Sequence, residues 1–170
     1  MFNLANQLTY CRILLIPLLV VVFYLPYEWR FPLSAALFGL AGITDWLDGY
    51  LARRWNQSSA FGAFLDPVAD KLMVAVTLFL LVESHPTALL AITSAVIVGR
   101  EIGISALREW MAEIGQRARV RVAMIGKVKT VMQMVAIVVL LIERDKGAQP
   151  LRTWYVGESL LVIAAVLTIW

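Results

Sequence analysis

Four aspartates, Asp45, Asp48, Asp66 and Asp70, lie in or beside long apolar runs, and no other feature limits the fold of this chain as strongly. A carboxylate at the centre of a membrane helix costs roughly 2.5–3.5 kcal/mol on insertion scales. Four standing alone in lipid would cost on the order of 10 kcal/mol. They must therefore share a polar cavity, and something cationic must neutralise them.

The membrane premise comes from composition. The 170 residues are 61% hydrophobic and only 16% charged, against about 25% charged in an ordinary soluble domain. The shortage of charge runs along the whole chain, which indicates a polytopic membrane protein rather than one anchor on a soluble domain. Apolar segments fall at about 8–25, 32–52, 62–82, 87–107, 122–142 and 154–170. Each approaches the ~20 residues a crossing helix needs. Helix is the one open-ended structure that satisfies its own backbone in lipid. The expectation is an all-α fold of six transmembrane helices in a single domain over residues 1–170. No small-residue cleavage site precedes Glu28, so the first segment reads as a retained helix. The single Cys11 excludes an internal disulfide.

Charge sets the orientation. Connections 53–61 and 108–121 share a side with the N-terminus, and connections 26–31, 83–86 and 143–153 lie opposite. The first side carries Arg12, Arg53, Arg54, Arg108, Arg117, Arg119, Arg121, Lys127 and Lys129. The second carries Arg30, Arg144, Lys146 and Arg152. The positive-inside rule then places the N-terminus and the aspartates in the cytoplasm. Tyr24, Tyr27, Trp29, Trp154 and Tyr155 collect at the outer face, as interface aromatics do.

Spacing brings the carboxylates together. Asp45, Asp48 and Ala52 share one helical face, and Asp66 and Asp70 share one face of the next helix. The polar connection is short, so the two helices are expected as antiparallel neighbours with their acidic ends adjoining. Four carboxylates so close need a counter-ion. Hard divalent cations prefer oxygen ligands, and magnesium is usually held by a few carboxylates with substrate phosphates. A two-metal site is the natural outcome. Gly49, Ala52 and Gly62 leave room for a ligand to touch backbone. Arg53 adds a fork suited to phosphate. Pro67 removes the hydrogen bond to the Ala63 carbonyl and is expected to bend the helix there.

Asp45, Asp48, Gly49, Ala52, Arg53, Gly62, Asp66 and Asp70 match without departure the pattern D-x2-D-G-x2-A-R-x8-G-x3-D-x3-D. At average composition such a match arises by chance on the order of once in 10^10 starts. The chain thus resembles the CDP-alcohol phosphotransferases. The likeness is greatest to the bacterial members that make phosphatidylglycerophosphate. It extends through N-Q-L-T-Y-C-R, D-W-L-D-G-Y-L-A-R-R-W-N-Q-S, G-R-E-I-G-I-S-A-L-R-E-W-M-A-E and I-G-K-V-K-T, nearly the whole chain.

The resemblance implies transfer of phosphatidyl from CDP-diacylglycerol to sn-glycerol 3-phosphate, with release of CMP. It implies that Asp45, Asp48 and Asp66 ligate two divalent ions, magnesium or manganese. Asp70 would touch one ion and act as base for the acceptor hydroxyl. Gly49, Arg53 and Ser59 match positions that hold the CDP moiety, with Asp48, Ala52 and Gly62 lining the same place. Asn6 and Thr9 match a first-helix element near the nucleotide. It further implies a homodimer in the bacterial cytoplasmic membrane, with the active site facing the cytoplasm and no nucleic-acid partner. A groove open sideways to membrane lipid is expected, because the acyl chains should stay in the bilayer. The acceptor phosphate needs a cationic pocket, assigned to Arg108, Lys127 and Lys129, with Arg100 as a further candidate. Lys127 and Lys129 are two apart and point to different faces, and Lys127 is the first choice.

Other residues have plainer readings. Arg54 reads as a headgroup anchor, and the run of Arg117, Arg119 and Arg121 as a lipid-surface patch worth ~1 kcal/mol per charge. Arg100 and Glu101 also suit a structural polar pair. His85 reads as a surface residue at an outer turn. Gly99 and Gly103 read as helix packing. Two alternatives stand beside the leading function: the same chemistry with serine, inositol phosphate or another lipid alcohol, and a cation carrier. A carrier site would lie near the midplane on broken helices, whereas these aspartates fall at helix ends.

Overall fold

The computed structural model describes residues 4–55, 60–114, 124–142 and 152–169, with side chains for 10–45, 65, 67–107, 109–114, 128–142 and 153–168. Among the described residues there are six helices and no strand: α1 Leu4–Phe23, α2 Arg30–Trp55, α3 Ala60–Ser84, α4 Ala88–Glu113, α5 Met124–Ile142 and α6 Arg152–Ile169. They coincide with the six apolar segments, extended by polar turns at several ends. Pro17 and Pro67 both lie inside helices.

Local chemistry sets several ends. Thr87 caps α4 in an extended conformation, and its hydroxyl accepts from the Leu90 amide at 3.2 Å. This satisfies one of the orphan donors at a helix start. After α1 the chain turns through Pro26, and Arg30 Nη1 donates to the Leu25 carbonyl at 3.3 Å. A cation there suits the negative end of α1.

The helices close into a ring in the order α1, α2, α5, α6, α4, α3, with α3 meeting α1 again. The α5–α6 seam is the most extensive. A Cβ on Gly157 would come within 2.9 Å of Leu140, so the small residue permits that close approach. One apolar cluster fills the interior, centred on Leu19, Phe38, Leu78, Leu90, Ile137 and Leu161.

Large apolar side chains are exposed on every helix. Leu14, Ile92 and Val131 are each more than 60% exposed, while Arg12, Ser34, Thr77, Lys129 and Gln133 are buried. By length and composition one helix, Ala88–Glu113, is long and apolar enough to cross a membrane among the described residues. Shorter apolar stretches are Tyr10–Phe23, Val128–Ile142 and Thr153–Thr168.

Helices α2 and α3 touch each other, and α1 packs against both. Three expectations change. Trp154 is not in the exposed aromatic set with Tyr24, Tyr27, Trp29 and Tyr155; it is buried, its ring 4.2 Å from that of His85. His85 is accordingly half-buried, with Ser84 Oγ 3.1 Å from its Nδ1. Gly99 and Gly103 face open space and, among the described residues, pack against no neighbouring helix of the chain.

Candidate active site

The site is built where α1, α2 and α3 meet. Asp45 lies ten residues before the end of α2, and Asp70 ten residues after the start of α3. Arg12, from α1, reaches both. Its Nη2 is 3.3 Å from Asp45 Oδ1 and its Nη1 donates to Asp70 Oδ1 at 2.6 Å. Arg12 is 1% exposed, whereas the two carboxylates are 45% and 34% exposed. A guanidinium buried that deeply would be very costly without partners. Two half-open carboxylates offset the cost and keep a face toward solvent.

A small cavity adjoins the trio, lined by Arg12, Phe38, Ala41, Gly42, Asp45, Asp70, Met73 and Met134. Its volume is about 10 Å³, room for one water-sized sphere. Its surface is almost wholly apolar, although Arg12, Asp45 and Asp70 are among the residues around it.

A second polar seam continues from it. Lys71, next to Asp70, donates to Ser105 of α4. Gln133 Nε2 of α5 donates to Glu101 Oε1 of α4 at 3.3 Å. Lys129 lies one turn before Gln133 and is also buried. α3, α4 and α5 are therefore joined by polar side chains near their middle turns. One end of the bundle holds the Thr87 cap and the stacked Tyr27 and Trp29, 5.3 Å between centroids.

The structure thus brings Asp45 and Asp70 together, and buries Lys129. Arg100 is half-buried on α4, while its neighbour Glu101 pairs with Gln133 rather than standing alone. Asp48, Gly49, Ala52 and Arg53 lie on α2, Gly62 and Asp66 on α3, Asn6 and Thr9 on α1, Arg108 on α4 and Lys127 on α5. Their side chains lie outside the described residues, as does all of Ser59. Arg117, Arg119 and Arg121 lie outside them too. Among the described residues no three acidic, histidine or cysteine side chains form a metal-holding group.

Arg12 is the site residue with no role assigned from sequence, where it ends the N-Q-L-T-Y-C-R stretch and counts among the cytoplasmic charges. The available signal was a lone charge inside an apolar helix, which must be paired within the bundle.

Carboxylate oxygens are the donors that hard divalent ions prefer, and Asp45 and Asp70 are the two motif carboxylates whose side chains are described. Residues 2–170 match the CDP-alcohol phosphatidyltransferase family, and the chain belongs to that family. Its curated relatives include the CDP-diacylglycerol–glycerol-3-phosphate 3-phosphatidyltransferase of Salmonella choleraesuis (strain SC-B67), 53% identical over 169 residues, covering 99% of this chain and 90% of that one. The proteins of the same name from Shigella flexneri and Escherichia coli (strain K12) are 52% identical over 170 residues, with the same coverage. The family generally depends on divalent metal.

Proposed function

We propose that this protein transfers the phosphatidyl group of CDP-diacylglycerol to sn-glycerol 3-phosphate, giving phosphatidylglycerophosphate and CMP. The observation that carries this reading is the convergence of Asp45 and Asp70, two carboxylates of the family motif, on one guanidinium. The names of relatives more than half identical over nearly their whole length supply the acceptor.

Asp45, Asp48, Asp66 and Asp70 would hold two divalent ions, magnesium or manganese. Bound there, such ions supply Lewis-acid stabilisation of charge on a diphosphate. The chain does the rest. Asp70 takes the proton of the acceptor hydroxyl, a poor nucleophile without a base in reach. The hydroxyl oxygen then bonds to the phosphorus that carries diacylglycerol, and the bond from that phosphorus to the CMP oxygen breaks. Arg12 fixes the direction in which Asp70 points. Gly49, Ala52 and Gly62 let the nucleotide lie against backbone, and Asn6, Thr9, Arg53 and Ser59 hold its polar groups. Lys129, Lys127, Arg108 and Arg100 bind the acceptor phosphate. The polar seam of Lys71, Ser105, Glu101 and Gln133 fits a polar acceptor.

The same reading makes residues 1–170 one domain of six membrane-spanning helices in the bacterial cytoplasmic membrane, working as a homodimer. The N-terminus and the site face the cytoplasm, and the site opens sideways to lipid. Exposed apolar side chains on every helix support the membrane setting, since lipid would cover them. The purified protein in mixed micelles, given labelled glycerol 3-phosphate or labelled serine with CDP-diacylglycerol, is expected to label lipid from the first alone. Labelling from serine alone would overturn the acceptor.

A further inference from the structure

Glu101 stands half-buried near the middle of α4. The buried amide of Gln133, on α5, donates to its Oε1 at 3.3 Å. α4 and α5 are not neighbours in the ring, so this hydrogen bond crosses the interior. Building on the transferase reading, we propose that Glu101 accepts a hydrogen bond from the acceptor hydroxyl that does not react. Gln133 is the positioning residue that holds Glu101 for it.

Depth in the bundle supports this. Lys71 directly follows Asp70 and donates to Ser105, which lies one turn beyond Glu101 on the same face of α4. Met134, next to Gln133, lines the small cavity together with Asp70. The Glu101–Gln133 pair is therefore level with the carboxylate assigned as base. Charge points the same way. A bond that served only to tie α4 to α5 could be made by two neutral side chains at lower cost, and an ionisable group inside a membrane bundle marks function. A carboxylate near the cations assigned to the acceptor phosphate weakens their hold on that phosphate. Its gain must come from another part of the acceptor. An ionised carboxylate can only accept, and an O–H donated to it makes a strong, short bond. The amide takes one oxygen of Glu101, and the other has no partner among the described residues. Glycerol 3-phosphate brings two hydroxyls. The less hindered primary one suits attack on phosphorus, and the secondary one is left to be read.

The test compares sn-glycerol 3-phosphate with 3-hydroxypropyl phosphate, which keeps the primary hydroxyl and lacks the secondary one. CMP release by the full-length protein in mixed micelles with CDP-diacylglycerol and magnesium gives kcat/KM for each. Wild type is expected to prefer glycerol 3-phosphate by at least about tenfold, as a site built to bond a hydroxyl does. Glu101→Met is close in length and cannot accept as a carboxylate does; its preference is expected to fall within about threefold of unity, with the KM for CDP-diacylglycerol unchanged. A wild-type preference below about threefold overturns the proposal. So does a Glu101→Met variant that loses activity toward both acceptors equally, which is what a structural tie alone would give. If Glu101→Met does not stay folded in detergent, Gln133→Met decides. A preference at least about threefold below that of wild type supports the positioning role, and an unchanged preference overturns it. Failure of both variants to fold also overturns it, since the pair would then be a tie between helices. Wild type that releases no CMP with either acceptor would instead remove the transferase reading.

Discussion

Asp70 is aimed by a residue 58 positions away in the chain. That pairing explains why Asp70→Asn should be a clean probe. The amide can still accept from Arg12, so the helices stay in place, but it cannot take a proton. CMP release is expected to fall by about 10²–10⁴-fold, while much of the binding of CDP-diacylglycerol remains. Parallel turnover and equilibrium-binding measurements check this. Near-normal turnover would remove the base role. Lys129→Met should raise the KM for glycerol 3-phosphate and leave that for CDP-diacylglycerol unchanged, which steady-state kinetics with each substrate varied will show. The motif residues were legible because their spacing is local: three or four residues put side chains on one helical face. Arg12 was not, because which way α1 turns is decided by contacts distant in sequence.

Helix positions were readable for a similar reason. Apolar length sets them, and the ends fall near the polar turns, as at Thr87 and Arg30. What the pattern could not supply was adjacency. Short connections indicated that α2 and α3 are neighbours, but not that α1 packs against both and contributes the cation. Small residues were equally ambiguous. Gly99 and Gly103 look like a packing pair, yet an added Cβ there would meet nothing within 4 Å among the described residues, whereas one on Gly157 would meet Leu140 and Val139. Gly157→Val is therefore expected to push α6 off α5 and destabilise by about 1–3 kcal/mol, the usual range for overpacking. Gly99→Ala is expected to leave the melting temperature unchanged. Thermal denaturation of the two variants side by side checks both, and equal losses would contradict the seam described for α5 and α6.

At the scale of the molecule, the chain carries buried polar side chains and an apolar exterior, an arrangement that suits lipid. The excess of basic residues at the aspartate end fits a cytoplasmic orientation. With Cys11 replaced by serine, a cysteine at Thr87 should react with an impermeant thiol reagent in intact spheroplasts, and one at Ser58 only after lysis. The reverse pattern would invert the topology. Composition and charge yield this expectation because they act over whole segments; the closed ring of six helices depends on side-chain fit and could not be read the same way.

The most direct measurement is CMP release by the purified protein from CDP-diacylglycerol and sn-glycerol 3-phosphate, with magnesium and then with excess chelator. Acidic side chains gathered to hold divalent ions predict release that needs the acceptor, stops on chelation and returns with added magnesium. Release that continues undiminished in chelator would contradict the account.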